Sequence, residues 1–222
     1  QSLLMVVRTS NTLIAPELPT SLLLSLFNTS MVVCPTLFFS LLLNSCIDRV
    51  RSSTLTNDWD GYDIDWEIGS GVFDMDGTLS TNADIVYLVK EMNKYIGPKS
   101  DPEHKGHRLI CIDGHFSGLT EALDGYVDYW IDQAYGRTTH FDYYGVDPKT
   151  IITTDNFESS FKSGGQLLRQ AKSMPSKGYK GGVGAYRFDN DYDNTPNYKW
   201  MRQAIQINQQ VFKERMGQTT QP

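Results

Sequence analysis

A chain of 222 residues, 40% of them apolar, is long and apolar enough to bury a core, which excludes an intrinsically disordered protein and suits one large α/β domain or two small ones. Its 26 acidic and 20 basic residues give a net charge of −6, so there is no electrostatic reason to expect nucleic acid as a partner. Three cysteines, Cys34, Cys46 and Cys111, and four histidines, His104, His107, His115 and His140, show neither C-x-x-C nor H-E-x-x-H spacing, which argues against a disulfide framework and a zinc site.

Residues 1–56 differ from everything that follows. No charged residue occurs from 18 to 47, and the run 22–43 is rich in Leu, Phe and Val. Asn28, Thr29, Ser30 and Pro35 interrupt that run, so it reads as a buried or misfolding-prone segment, with no clear membrane span and no clear signal peptide. The next segment, 57–215, has the alternation of a folded domain, and 216–222 reads as a tail.

Residues 60–67 read Asp-Gly-Tyr-Asp-Ile-Asp-Trp-Glu. On a strand, successive side chains point to opposite faces, so Asp63, Asp65 and Glu67 share one face and Ile64 and Trp66 the other. Neighbouring carboxylates in such a row lie about 6–7 Å apart, and like charges on one face gain nothing in packing. The row is therefore a candidate site. A Gly-rich acidic loop fills 68–81, and Ile85, Leu88, Val89 and Met92 recur at helical spacing, predicting a helix over 82–95 stopped by Gly97-Pro98.

The polar run 99–108, which holds His104 and His107, reads as a solvated loop. Residues 108–113, with the apolar centre Leu109-Ile110-Cys111-Ile112, predict a fully buried strand. Further strands are expected over 125–135, with Gln133 and Tyr135 on one face, over 150–155, and over 181–188. A C-terminal helix is expected behind a Thr195 cap with Pro196 in its first turn, its apolar face formed by Trp200, Met201, Ala204, Ile205, Val211 and Phe212. Five buried strands alternating with helices or helix-sized connections argue for a parallel sheet. Asp65, Glu67, Asp113, Gln133, Tyr135, Asp155 and Tyr186 at the strands' C-terminal ends argue for a barrel.

The octapeptide at 60–67 matches in full the D-G-x-D-x-D-x-E signature of glycoside hydrolase family 18, the chitinases and endo-β-N-acetylglucosaminidases. Residues 109–114, 128–135, 153–159 and 181–206 resemble later strands of its Bacteroides-type endoglycosidase branch. The closest likeness is in Gly184-Ala185-Tyr186-Arg187-Phe188, Asn194-Thr195-Pro196 and Tyr198-Lys199-Trp200-Met201-Arg202. The resemblance implies a TIM (β/α)8 barrel, with the signature ending its fourth strand, and a retaining, substrate-assisted glycosidase that uses no metal or other cofactor.

By motif position it implies Glu67 as general acid, held protonated near neutral pH by its acidic neighbours. Asp65 would orient the substrate's 2-acetamido group and Asp63 would back Asp65. Tyr135 would donate its hydroxyl to the acetamide oxygen, with Gln133 beside it, and Tyr186 would floor the sugar. The implied partner is an N-acetylglucosamine-containing glycan, and the implied location is extracellular, cell-surface or periplasmic.

Three βα units before the catalytic strand need about 90 residues. Only 59 precede Asp60, so we expect a barrel incomplete or aberrant in its N-terminal part, with strands four to eight recognisable. Two rival readings remain open. One is a carbohydrate-binding protein on the same scaffold without turnover. The other is a haloacid-dehalogenase-like phosphatase, since Asp74-Met75-Asp76-Gly77-Thr78 fits D-x-D-G-T, with Asp74 as nucleophile and Asp76 as general acid.

Overall fold

The computed structural model describes residues 60–67, 82–103, 105–114 and 116–219. The apolar run 22–43, the domain boundary at 56/57, the loop 68–81 with Asp74 and Asp76, and His104 and His115 lie outside the described residues.

Among the described residues, five parallel strands form one sheet: β1 (Gly61–Trp66), β2 (Leu109–Gly114), β3 (Tyr129–Asp132), β4 (Ile151–Asn156) and β5 (Gly182–Tyr186), in the order β1-β2-β3-β4-β5. Each strand pairs with the next in the chain, which is barrel connectivity. A doubly wound sheet, the scaffold the phosphatase reading requires, reverses its strand order partway. Helix α1 (Asn82–Met92) links β1 to β2, α2 (Leu167–Lys172) links β4 to β5, and α3 (Lys199–Thr219) follows β5.

The period-2 pattern of β1 places Ile64 and Trp66 in a core with Ile110, Ile112, Trp130 and Ile151 on neighbouring strands. Helix α1 packs on that core because Ile85, Val89 and Met92 fall on one stripe. Phe116 joins the layer, its ring centroid 5.2 Å from Trp130 and 4.5 Å from Tyr144. A second core gathers Phe157, Leu167, Ala171 and Ala204 under β5, with Val183, Ala185, Trp200 and Met201 against it. The opposite face of the sheet carries a smaller apolar patch of Cys111, Ile131 and Ile152, flanked by Leu109 and Tyr129.

Several elements depart from their sequence expectations. Helix α1 stops at Met92 instead of residue 95 because its last turn tightens: Lys94 N bonds Glu91 O at 3.2 Å and Tyr95 N bonds Met92 O at 2.9 Å. The buried amide of Asn93 then donates to Val89 O and Tyr126 O, each at 2.9 Å. His107 is not solvated. Its Nε2 lies 2.7 Å from Asp128 Oδ1, both side chains are under 10% exposed, and Asp128 Oδ2 accepts from Ile110 N at 2.8 Å, clasping the starts of β2 and β3.

Helix α3 begins at Lys199, beyond Thr195 and Pro196, because a buried carboxylate does the capping. Asp191 Oδ2 accepts from Met201 N at 2.8 Å and Asp191 O accepts from Tyr198 N at 2.9 Å. The apolar face of α3 is narrower than its sequence suggests, with Ile205 42% and Phe212 36% exposed. The helix runs past residue 215 to Thr219, into the expected tail. Helix α2 was not foreseen. Its C-terminal carbonyls are met by Lys180, whose Nζ donates to Ala171 O at 2.8 Å and Ser173 O at 2.7 Å, while burial pushes its ammonium pKa down to about 8.

Candidate active site

Register decides which side chains share a face. Asp63 aligns with Cys111 and Asp65 with Asp113; Cys111 aligns with Tyr129 and Asp113 with Ile131; Ile131 aligns with Ile152. Asn156 aligns with Tyr186 at the far end of the sheet. The face opposite the α1 core therefore carries the apolar patch of Cys111, Ile131 and Ile152 near its middle. Toward the strands' C-terminal ends it carries the acids Asp63, Asp65 and Asp113. This is where the ligand sites of parallel barrels lie.

Glu67 follows β1 directly. Its neighbour Trp66 is only 3% exposed and donates its indole N–H to Asn82 Oδ1 at 3.1 Å, which ties the end of β1 to the start of α1. Gly114 closes the other side with φ 117°, and a Cβ there would collide with the Trp66 carbonyl. Only glycine permits both that φ and that approach, so the backbone that presents Glu67 is fixed from two directions.

The structure brings the acid row and Gln133 together. Gln133 Nε2 donates to Asp65 Oδ1 at 3.3 Å and to Glu67 Oε1 at 3.1 Å, bridging the row from two strands away. An amide has two N–H groups and so serves both carboxylates, offsetting part of their mutual repulsion. Asp65 is exposed, Asp63 and Glu67 are half-buried, and Asp113 is buried. The reach toward solvent increases along the row from Asp63 to Asp65.

Tyr135 is placed differently from expectation. Strand β3 ends at Asp132, so strand alternation does not pair Tyr135 with Gln133. Two tight turns intervene instead: Ala134 N donates to Asp132 O at 2.7 Å, and Arg137 N donates to Ala134 O at 3.0 Å. Gly136 takes φ 73° at the third position of the second turn, the signature of a type II turn, which sets Tyr135 at its second position. The sequence signal was the Tyr-Gly step itself, masked by an apolar run that reads as strand.

Tyr186 ends β5, three strands beyond β2, and the structure does not place it beside β1 within the sheet. An aromatic group of Phe188, Tyr192 and Tyr198 follows it, with ring centroids 6.2 Å apart for Phe188 and Tyr198 and 5.5 Å apart for Tyr192 and Tyr198. Cys111 is no nucleophile: burial first, then the charges of Asp63, Asp128 and Asp113, push its thiol pKa far up and keep it protonated. Burial and the charge of Asp128 likewise raise the Tyr129 phenol.

No protein-family model matches the chain, and no curated protein matches it. Solved structures do. The Bacteroides protein BT1044, in a selenomethionine form with one glutamate exchanged for glutamine, superposes with a TM-score of 0.60 at 24% identity, covering 83% of this chain and 67% of that one. The apo endo-β-N-acetylglucosaminidase from Cordyceps militaris superposes with a TM-score of 0.57 at 22% identity, covering 75% of this chain and 62% of that one.

A double variant of the Cordyceps militaris enzyme, in complex with fucosyl-N-acetylglucosamine-Asn, gives a TM-score of 0.52 at 18% identity. An aspartate and a glutamate two positions apart are replaced by their amides in that variant. The likeness is one of fold: the five parallel strands match part of the TIM (β/α)8 barrel domains of these structures, and the chain spans about two thirds of the length of the structures it matches.

Proposed function

We propose that the chain is a glycoside hydrolase that cleaves β-1,4 linkages between N-acetylglucosamine units, in an N-glycan chitobiose core or a chito-oligosaccharide, with retention and with help from the substrate. The observation that carries this reading is the Gln133 bridge between Asp65 and Glu67 on the acid face, at the C-terminal ends of the parallel strands. Two further facts support it. The spacing of Asp65 and Glu67 is that of the aspartate and glutamate exchanged in the Cordyceps militaris variant, and that enzyme was captured with an N-acetylglucosamine-containing ligand.

In this mechanism Glu67 gives its proton to the glycosidic oxygen as the C1–O bond breaks. Gln133, bonded to Glu67 Oε1, holds that carboxyl group in place. The carbonyl oxygen of the substrate's 2-acetamido group attacks C1 and forms an oxazolinium ring. Asp65 accepts the acetamide N–H and steadies the positive charge, with Asp63 one pleat behind it on the same face. Water then attacks C1 and gives its proton to the Glu67 carboxylate, and the ring opens with retained configuration. Tyr135 supplies a hydroxyl to the acetamide oxygen and Tyr186 an aromatic floor. A glycan substrate of this kind is consistent with a place outside the cell, at its surface or in the periplasm.

The test is release of oligosaccharide from an N-glycopeptide, and of short products from a chito-oligosaccharide, by the full chain and by Glu67→Gln. Cleavage by the unsubstituted chain and a loss of at least about 1,000-fold in kcat with Glu67→Gln are expected. Cleavage that survives the substitution rules out this role for Glu67. Binding of the glycopeptide with no release by either form would favour the carbohydrate-binding reading.

A further inference from the structure

The second turn after β3 is held from three sides. Asp132 takes both terminal nitrogens of Arg137, at 2.7 and 3.2 Å. Asp155 Oδ1 accepts from Gly136 N at 3.2 Å, while its Oδ2 accepts from Gln166 N at 2.6 Å at the head of α2. From beneath, Gln170 Nε2 lies 2.8 Å from Ala134 O, 2.9 Å from Arg137 O and 3.1 Å from Thr154 O. Three carbonyls converge on one amide nitrogen, which orients the amide with its nitrogen toward the turn.

Gln170 is fully buried, and its Oε1 is buried without a hydrogen-bond partner. A buried amide with an orphaned oxygen costs more than a leucine or methionine of similar volume packed in the same place. A side chain there for packing alone would be apolar. What glutamine adds at this position is its N–H groups, and both serve the backbone that flanks Tyr135 or the strand beside it.

We propose that Gln170 is a positioning residue: from α2, without reaching the acid face, it fixes the turn that carries Tyr135, and turnover depends on that turn being held. The proposal rests on the glycosidase reading for its kinetic consequence. Its structural half stands apart from that reading, because the amide protons of Gly136 and Arg137 report the clamp directly.

The experiment compares the full chain with Gln170→Met, Gln170→Glu and Arg137→Met. Hydrogen exchange at the Gly136 and Arg137 amides is expected to speed up at least about tenfold in Gln170→Met, with α1 and β2 unaffected. On the chito-oligosaccharide, kcat is expected to fall at least about tenfold with KM within about threefold. Gln170→Glu adds a signature that a packing role would not give. A protonated carboxyl can donate to the carbonyls and an ionised one cannot, so its kcat should recover as pH falls, relative to Gln170→Met.

Unchanged exchange in Gln170→Met overturns the proposal, as do an unchanged kcat or a Gln170→Glu profile parallel to that of Gln170→Met. If both core variants fail to fold, Arg137→Met decides, since it loosens the same turn from a half-exposed side chain: a fall in kcat supports the proposal and wild-type kcat overturns it. If the unsubstituted chain cleaves no N-acetylglucosaminide, the glycosidase reading fails, and the exchange result alone decides whether Gln170 is the clamp.

Discussion

Gln133 couples two carboxylates that would otherwise face each other across a pleat, with bonds of 3.3 Å to Asp65 and 3.1 Å to Glu67. Replacing it with leucine removes both donors and leaves the backbone of β3 untouched. The acid row would then lose a group that bridges Asp65 and Glu67. We expect Gln133→Leu to lower kcat on a chito-oligosaccharide by about 10- to 1,000-fold, the range for loss of a single oriented donor, with thermal unfolding little changed. A KM effect alone would mean that Gln133 only binds substrate.

The acids themselves were legible in the sequence because period-2 alternation is local, and eight residues suffice to put Asp63, Asp65 and Glu67 on one face. The Gln133 bridge was only half legible, since the contact depends on cross-strand register spanning 66 to 68 residues. Gln170 gave no sequence signal at all. It is a polar residue within a six-residue helix, and its value lies in the carbonyls that the fold brings to it.

Helix α3 shows what local reading misses. Thr195-Pro196 has the look of a helix start, yet Asp191 Oδ2 reaches Met201 N at 2.8 Å and Asp191 Oδ1 accepts from Asn194 Nδ2 at 2.8 Å, both from a side chain with no exposure. A cap ten residues upstream lies beyond the window in which capping motifs are read. Asp191→Ala removes the cap and leaves buried donors unmet, and we expect it to destabilise the fold by about 2 kcal/mol or more. Thr195→Ala, at an exposed position before the helix, should change stability by no more than about 0.5 kcal/mol. Urea unfolding of the two variants measures the contrast, and equal effects would return the capping role to Thr195.

The same holds at the end of β3, where the sequence predicts strand through residue 135 and the chain instead turns twice. Apolar and aromatic residues favour strands on average, but the Asp132–Arg137 pair and the Gly136 conformation override that preference. Helix α1 was nearly right because its Ile85, Val89 and Met92 stripe is local and buried.

Across the molecule, the parallel order of the strands was the most readable feature, because five short apolar runs separated by helix-sized connections leave few other arrangements. The sheet has an apolar core on one face and an acid-rimmed patch on the other, and the polar groups gather where the strands end. That asymmetry makes one prediction about substrate. If the acetamide carbonyl is the nucleophile, a sugar without it has nothing to attack C1, however well it binds.

The measurement is therefore the cleavage, by the full chain, of an aryl β-glycoside of chitobiose set against the matching glycoside with hydroxyl in place of 2-acetamido, with the first-formed anomer read by proton NMR. Substrate assistance predicts cleavage of the acetamido compound with the β anomer appearing first, and a rate at least about 1,000-fold lower for its hydroxyl counterpart. Comparable cleavage of both compounds, or the α anomer appearing first, would contradict it.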